Sequence, residues 1–244
     1  MWERPPILSL RTVEPGIKLL QEAGIEAVRE KSLRLSGLLL GFHEAVLAPM
    51  GYHLGDFYTT GEGIDPREAW PAGIRDRLES GGYPVARSCV LACTGWTVAD
   101  LAEASGKAGY ASEWDWITLC IGVNDQYNGG NPVTFAAQLD PLRSQVETFR
   151  AKSGSRVLVL SIPDWSVSPF ALDRDRVSIA RQIDAFSAAA HALSRNRGLG
   201  FLDWTFLSRR FPGDQEAFAR DGLHPSAIQH AAWARFLEES LLRD

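Results

Sequence analysis

The sequence predicts an α/β fold in which helices cover both faces of a five-stranded, mostly parallel sheet. After Pro49, short apolar runs alternate with helical stretches five times, which is typical of a doubly wound sheet. The 244 residues suffice for one large domain with a buried core, and a content of 45% hydrophobic and 23% charged residues is that of a globular protein. We therefore expect a three-layer α/β/α domain over residues 51–244.

The segment before this domain, residues 1–50, is predicted to be a helical extension. From Glu14 to about Leu47, apolar residues recur at roughly helical spacing. A break near Gly24 or Gly37 would divide this segment into two helices.

The apolar runs predict five strands: Tyr52–Leu54, Val85–Leu91, Trp116–Gly122, Val157–Ile162 and Gly200–Leu202. Helical patterns lie at 67–80, 97–105, 133–152, 174–197 and 226–242. Asp65 before Pro66 has the pattern of an N-cap followed by an N1 proline, and Thr97–Asp100 resembles a capping box. Ligands of such sheets bind beyond the carboxyl ends of the strands, so candidate residues are expected just after each apolar run.

Charge and hydropathy exclude several classes of partner. The net charge is −5 and the 25 basic residues are scattered, which argues against nucleic acid binding. The longest apolar run near the N-terminus, 38–40, is too short for a membrane span or a secretion signal, so we expect a cytoplasmic protein.

The three cysteines, Cys89, Cys93 and Cys120, lack metal-ligand spacing and are expected to be reduced and mostly buried. No phosphate-cradling glycine motif is present, so no cofactor is predicted.

Two strand ends carry candidate oxyanion donors. Asn124 follows the strand that ends at Gly122, where its side-chain amide can donate to a developing oxyanion. An Asx-turn that closes the strand is an equally good interpretation. Gly95 follows the run at 90–94 and would expose its backbone N–H, although a glycine at such a place is more often only a turn.

A candidate acid–base pair precedes the last predicted helix. In Asp221-Gly222-Leu223-His224, the carboxylate can reach the imidazole Nδ1–H, fix its tautomer and orient it as a general base. The same spacing also occurs in helix capping. The remaining histidines have no acidic companion at a useful spacing, and solvated or packing roles are expected for them: His43, His53, His191 and His230.

Together these segments resemble the SGNH (GDSL-type) esterase family over about residues 52–244. The blocks occur in the family's order: Gly55–Gly63, Thr94–Trp96, Gly122–Asp125, Ser161–Trp165 and Asp221–Pro225. The resemblance implies an SGNH, flavodoxin-like α/β/α fold, with Gly95 and Asn124 as oxyanion donors and His224 as the base oriented by Asp221. It also implies a small ester or acylated molecule as substrate.

The first block departs from the family at the nucleophile. The family has serine directly after Gly-Asp, whereas this chain has Phe57. Phenylalanine has no heteroatom and can neither attack a carbonyl nor share a proton with His224. Thr59 or Thr60 would substitute only if the turn were repacked, because they project from other positions.

Residues from about 4 to 54 resemble a different protein, the small C-terminal domain of kynureninase, a pyridoxal-phosphate enzyme. The enzyme's Schiff-base lysine belongs to a large domain that has no counterpart here, so no site residue is transferred. One rearrangement at the junction would explain both this leader and the missing serine.

Three functions remain open from the sequence. The first is an ester hydrolase, with activity impaired by Phe57. The second is a catalytically inactive binding module that keeps the oxyanion pocket for a carbonyl or carboxylate ligand. A kynureninase-related fragment is the third and much the weakest. The sequence predicts no particular oligomeric state.

Overall fold

Five parallel strands form the central sheet of the computed structural model, which describes residues 50–108, 114–150 and 155–242. Their order across the sheet is β2-β1-β3-β4-β5, and each neighbouring pair is parallel. In the strand register, Leu54 of β1 pairs with Leu91 of β2 on one side and with Leu119 of β3 on the other. The strands are β1 (Met50–Gly55), β2 (Arg87–Ala92), β3 (Trp116–Cys120), β4 (Arg156–Leu160) and β5 (Gly200–Leu202).

Eight α-helices connect these strands in the described part of the chain. They are α1 (Phe57–Thr60), α2 (Trp70–Ser80), α3 (Val98–Lys107), α4 (Val123–Tyr127), α5 (Pro132–Glu147), α6 (Arg176–Arg197), α7 (Thr205–Ser208) and α8 (Ala227–Leu241). Helices α2 and α8 pack against each other, while α3 packs on α5 and α5 on α6. The two groups cover opposite faces of the sheet, which confirms the predicted α/β/α fold.

The core lies between these layers because the central strand is apolar on both faces. All five residues of β3 are buried, as expected for a parallel strand covered on both sides. On the side of α2 and α8, Trp204 packs against Trp70 and Trp233, with ring centroids 5.3 Å and 5.4 Å apart. None of the helices in the described ranges has the length and apolar character needed to cross a bilayer.

The third strand ends two residues earlier than the sequence predicts. The strand stops at Cys120, and Gly122 instead precedes α4 with φ of 121°. A Cβ on Gly122 would lie 2.5 Å from the Phe135 ring, so only glycine fits this turn. The tight turn brings Asn124 to the second position of α4, directly at the carboxyl edge of the sheet.

One predicted helix start is confirmed and another is wrong. Thr97 caps α3, with both bonds of the capping box to Asp100 present. Asp65 and Pro66 do not begin a helix, because α2 starts only at Trp70. The Asp65 carboxylate instead accepts the Arg67 N–H within a separate turn.

Two expectations about other parts of the chain have different outcomes. The three cysteines are free, but Cys93 is exposed and Cys89 only partly buried, so only Cys120 has the predicted burial. The predicted helical extension, like nearly all of the kynureninase-like segment, falls on residues 1–49 and lies outside the described residues.

Candidate active site

The first component of the site is the turn at the carboxyl end of β1. Asp56 caps α1, with its Oδ1 accepting the Tyr58 N–H at 3.0 Å, and Gly61 ends the helix in the left-handed region at φ of 75°. Phe57 is the first residue of this one-turn helix and is 7% exposed. Its ring therefore projects from the strand end into the protein.

The Asp56 carboxyl is in an environment that disfavours charge. Burial raises its pKa to about 8, the Tyr58 backbone N–H opposes the shift, and the negative charge of Asp125 adds to it. A proton on Asp56 is therefore retained near neutral pH.

The second component is the loop that carries His224. The Nδ1 of His224 lies 2.5 Å from Asp221 Oδ2, so the side-chain contact expected from the spacing is present. The other carboxylate oxygen, Oδ1, accepts the backbone N–H groups of Leu223 at 2.9 Å and His224 at 3.0 Å. Partial burial raises the pKa of Asp221, but the bonds to the imidazole and to these N–H groups outweigh it, and the pKa is lowered.

Backbone contacts hold this histidine loop in place. The Ala219 N–H donates to the His224 carbonyl at 2.7 Å, and Gly222 adopts φ of 70° at the turn. The Gly222 carbonyl accepts the Phe170 N–H at 3.0 Å, which joins the loop to the segment after β4. Hydrogen bonds thus hold the turn that carries His224, and no hydrogen bond joins its Nε2 to another group in the described ranges.

The structure places Phe57 against His224. The two ring centroids are 4.6 Å apart and the planes are nearly perpendicular, at 86°. The side chain at position 57 is thus adjacent to the imidazole that Asp221 orients. A phenyl edge offers that imidazole no hydrogen-bond partner.

The third component consists of Asn124 and the loop after β2. The Asn124 Nδ2 donates to the Trp96 carbonyl at 2.9 Å, which uses one of its two N–H groups and leaves the other. The side chain does not close an Asx-turn, so that interpretation is not observed. Gly95 precedes Trp96 in an exposed turn at φ of 84°, and no group in the described ranges accepts its N–H. The helix α4 and the loop after β2, which carry the two candidate donors, are therefore in contact.

The loop after α1 connects these components. The Glu62 Oε2 accepts the Thr94 hydroxyl at 2.5 Å, beside Gly95. A Cβ built on Gly63 would lie 4.0 Å from the Cβ of His224. The candidate residues from four sequence-distant turns therefore meet along one edge of the sheet.

Neither threonine of α1 is placed as a substitute nucleophile. The Thr59 hydroxyl is buried against Gly55 and the Cys120 carbonyl, without a hydrogen-bond partner among the described residues. The Thr60 hydroxyl donates to the Phe57 carbonyl at 3.3 Å. No hydrogen bond joins either hydroxyl to His224 within the described part of the chain.

Sequence reasoning missed a cluster of rings beside these loops. Tyr127, Trp165 and Phe170 surround the guanidinium of Arg174. The four residues come from α4 and from the segment that follows β4, and no periodicity connects them. The only signal in the sequence was the clustering of aromatic residues after two strand ends.

One protein family matches most of the chain. The model of the GDSL-like Lipase/Acylhydrolase family matches residues 53–232. No curated protein matches the chain.

Solved structures share the fold at low sequence identity. The chain is 21% identical to TesA, covering 79% of this chain and 97% of TesA, with a TM-score of 0.62. A lipolytic G-D-S-L family protein from Veillonella parvula DSM 2008 is 15% identical, with 81% and 100% covered and a TM-score of 0.65. A catalytic mutant of Axe2, an acetylxylan esterase from Geobacillus stearothermophilus, is 16% identical, with 80% and 93% covered and a TM-score of 0.59.

Proposed function

Because this chain belongs to the GDSL-like lipase/acylhydrolase family, we propose that it is an ester-hydrolase scaffold for small acyl esters or acylated carbohydrates, with weak or no activity of its own. In this proposal His224 is the general base and Asp221 orients it. Gly95 and Asn124 donate to the oxyanion. Phe57 occupies the position of the nucleophile.

The contact between Phe57 and His224 is the observation that carries this proposal. The ring centroids lie 4.6 Å apart, so the side chain at position 57 adjoins the imidazole and no other residue stands between them. The position directly follows Asp56 at the end of β1. A hydroxyl at this position would lie where an imidazole base can take its proton.

The chemistry of a serine at position 57 follows from this arrangement. Its Oγ would attack the ester carbonyl while His224 Nε2 takes the hydroxyl proton, and the Asp221 carboxylate would stabilise the imidazolium. The N–H of Gly95 and the second N–H of Asn124 would stabilise the oxyanion. The imidazolium would return its proton to the leaving alkoxide, and water would then hydrolyse the acyl-enzyme with the same base. Phe57 removes the first of these steps.

A binding module is the second candidate, and one observation favours it. One N–H of Asn124 remains after its bond to Trp96, and no group in the described ranges accepts the Gly95 N–H. Two such donors can hold a carbonyl or carboxylate oxygen without a nucleophile. This candidate shares the site but predicts ligand binding without turnover.

The Phe57→Ser variant tests the proposal. With para-nitrophenyl acetate as substrate, we expect the variant to gain clear turnover, and the added His224→Ala change to abolish it, because the base is then absent. Phe206→Ser, at an exposed ring on α7, is the matched control and should gain nothing.

Two results would contradict the proposal. A serine variant that is folded, as judged by circular dichroism and thermal unfolding, yet inert would remove the hydrolase assignment of this site and leave the binding module. Turnover by the unmodified chain at a rate like that of the serine variant would show that Phe57 does not replace the nucleophile.

The same proposal divides the chain at about residue 50. Residues 51–244 would form the hydrolase-like domain, supported by the family match from residue 53 and by β1, which begins at Met50. Residues 1–50 would be an appended segment, with the kynureninase-like sequence as a relic of the rearrangement that removed the serine.

A further inference from the structure

An arginine and three aromatic rings form a cluster beside the candidate active site. The Arg174 Cζ lies 4.4 Å from the centroid of Phe170, 5.7 Å from that of Trp165 and 5.9 Å from that of Tyr127. Distances below about 6 Å are those of cation–π contacts. We call Tyr127, Trp165, Phe170 and Arg174 the arginine–aromatic cluster.

The rings of the cluster have different exposure. Trp165 is 5% exposed, and its Nε1–H donates to Gln126 Oε1 at 2.8 Å. Tyr127 is 50% exposed and Phe170 is 37% exposed. The buried indole therefore fixes the base of the cluster, while the other two rings offer apolar surface to a ligand.

The cluster lies between two loops of the candidate site. Tyr127 follows Asn124 by three residues on α4, so the two side chains are neighbours on one face of that helix. Phe170 donates its backbone N–H to the Gly222 carbonyl at 3.0 Å, in the turn between Asp221 and His224. A ligand held at the cluster would therefore reach the groups assigned to the reaction.

The charge of Arg174 is not neutralised within the described ranges. No carboxylate there lies within 4.0 Å of its guanidinium, in contrast to Arg209, which pairs with Asp164 and Asp184. Asp175 is adjacent in sequence, but its carboxylate caps α6 by accepting the Ser178 N–H. Asp173, on the other side, forms no ion pair with Arg174 either. The cluster thus combines apolar rings with one unpaired positive charge.

We propose that the arginine–aromatic cluster binds a carboxylate carried by the ligand of this site. A guanidinium that stacks on rings keeps its in-plane N–H fork for a bidentate carboxylate, while Tyr127 and Phe170 cover the apolar part of the ligand. The preferred substrates would then be esters in which the acyl or alcohol part bears a second, free carboxylate. The preference for such esters rests on the proposed function, whereas the binding of a carboxylate by the cluster does not.

Binding to the unmodified chain tests the proposal without any chemistry. Isothermal titration with benzoate, which has one ring and one carboxylate, should give saturable binding, and benzamide, of the same shape but neutral, should bind much more weakly. Arg174→Gln should weaken benzoate binding about tenfold or more, the effect of losing charge-assisted hydrogen bonds. Tyr127→Leu should weaken both probes by a few-fold, because it removes ring contact.

Arg195→Gln is the matched control. Arg195 is also an exposed arginine, but it lies near the far end of α6, a helix of 22 residues, and about 30 Å from the start of that helix. Its loss should leave benzoate binding unchanged. The proposal is overturned if benzoate does not bind, if benzamide binds equally well, or if Arg174→Gln has no larger effect than Arg195→Gln.

A kinetic experiment on the Phe57→Ser variant tests the same residue in the reaction. The para-nitrophenyl monoester of succinic acid should have a lower KM than para-nitrophenyl butyrate, and adding Arg174→Gln should raise the KM of the succinate ester alone with little change in kcat. Equal effects on both esters would contradict the assignment. If the serine variant is inert, the proposed hydrolase function fails, and the benzoate titration still decides the carboxylate site.

Discussion

At the scale of single residues, the Asp221 carboxylate contacts the Nδ1 side of the His224 ring. Its Oδ2 contacts Nδ1 at 2.5 Å, while its Oδ1 is held by two backbone N–H groups. The backbone of the loop therefore fixes the position of the carboxylate that contacts the imidazole. The pKa of Asp221 is lowered by these bonds against the opposing effect of its burial, so it is charged at neutral pH and accepts from Nδ1–H.

Replacing this carboxylate should impair catalysis in the serine variant. An amide at position 221 donates as well as accepts and permits the wrong imidazole tautomer, so Asp221→Asn on the Phe57→Ser background should lower kcat on the order of 10³- to 10⁴-fold. Steady-state kinetics with para-nitrophenyl acetate measure the effect. Asp214→Asn, at a turn cap outside the site, should change kcat little. Equal losses in the two variants would show that Asp221 does not orient the base.

Some contacts of the candidate site can be predicted from the sequence and others cannot. The Asp221–His224 contact was predictable, because residues three apart in a turn meet through local geometry. The bond between Asn124 and the Trp96 carbonyl spans 28 residues, and the Phe57–His224 contact joins the two ends of the domain. Both depend on which strands become neighbours, and no local pattern contains that information.

At the scale of elements, the apolar pattern predicted the strands and the long helices but not the shortest helices. Helix α6 lies at Arg176–Arg197, close to the predicted range of 174–197, and β5 lies at Gly200–Leu202 as predicted. Helices α1 and α4 have only four and five residues, too few for a 3.6-residue period. They form because the chain must turn at the strand ends, and they position Phe57 and Asn124.

The turn between β3 and α4 should be intolerant of any side chain at Gly122. Gly122→Ala would introduce strain at φ of 121° and a Cβ 2.5 Å from the Phe135 ring. Positive-φ strain and overpacking together should lower the free energy of unfolding by about 2–5 kcal/mol, measured by urea denaturation. Gly129→Ala is the control for strain alone, because φ is 80° but no atom lies within 4 Å of the added Cβ. Its loss should be about 1–2 kcal/mol. Equal losses would exclude the clash with Phe135.

At the scale of the whole molecule, two histidines are enclosed between the sheet and the helices α2 and α8. His53, on β1, shares a hydrogen bond of 2.8 Å with the Thr118 hydroxyl and contacts Trp70 and Trp116 edge-on. His230, on α8, accepts the Trp70 N–H at 3.2 Å through Nδ1. The sequence predicts solvated or packing roles for both, and the structure shows packing, because both are 0% exposed. The surrounding indoles explain why neither ring tolerates a charge.

Burial lowers the pKa of both His53 and His230 from 6.5 to about 3. The unfolded chain therefore binds two more protons than the folded protein over the interval between these values. Their contribution to stability is complete above pH 6.5 and declines as the pH falls, by about 1.4 kcal/mol per pH unit for each histidine. Asp56 acts in the opposite direction, because its pKa is raised by burial to about 8 and stability falls as the pH rises from 3.8 to 8. The two trends place the maximum of stability near pH 6.5.

Urea unfolding measured from pH 4 to 9 tests this balance. The free energy of unfolding should decline on both sides of the maximum at similar rates of about 1.4 kcal/mol per pH unit, because the two histidines less the one aspartate act on the acid side and the aspartate alone acts on the alkaline side. His230→Gln should lower the acid-side slope by about 1.4 kcal/mol per pH unit, since only one buried imidazole then remains to be protonated. His191→Gln is the control, because His191 is exposed and stacks on Phe201, and its slope should match that of the unmodified protein. Asp56→Asn should flatten the alkaline side. A curve that is level between pH 4 and 6.5, or equal slopes for His230→Gln and His191→Gln, would show that the core histidines do not control acid stability.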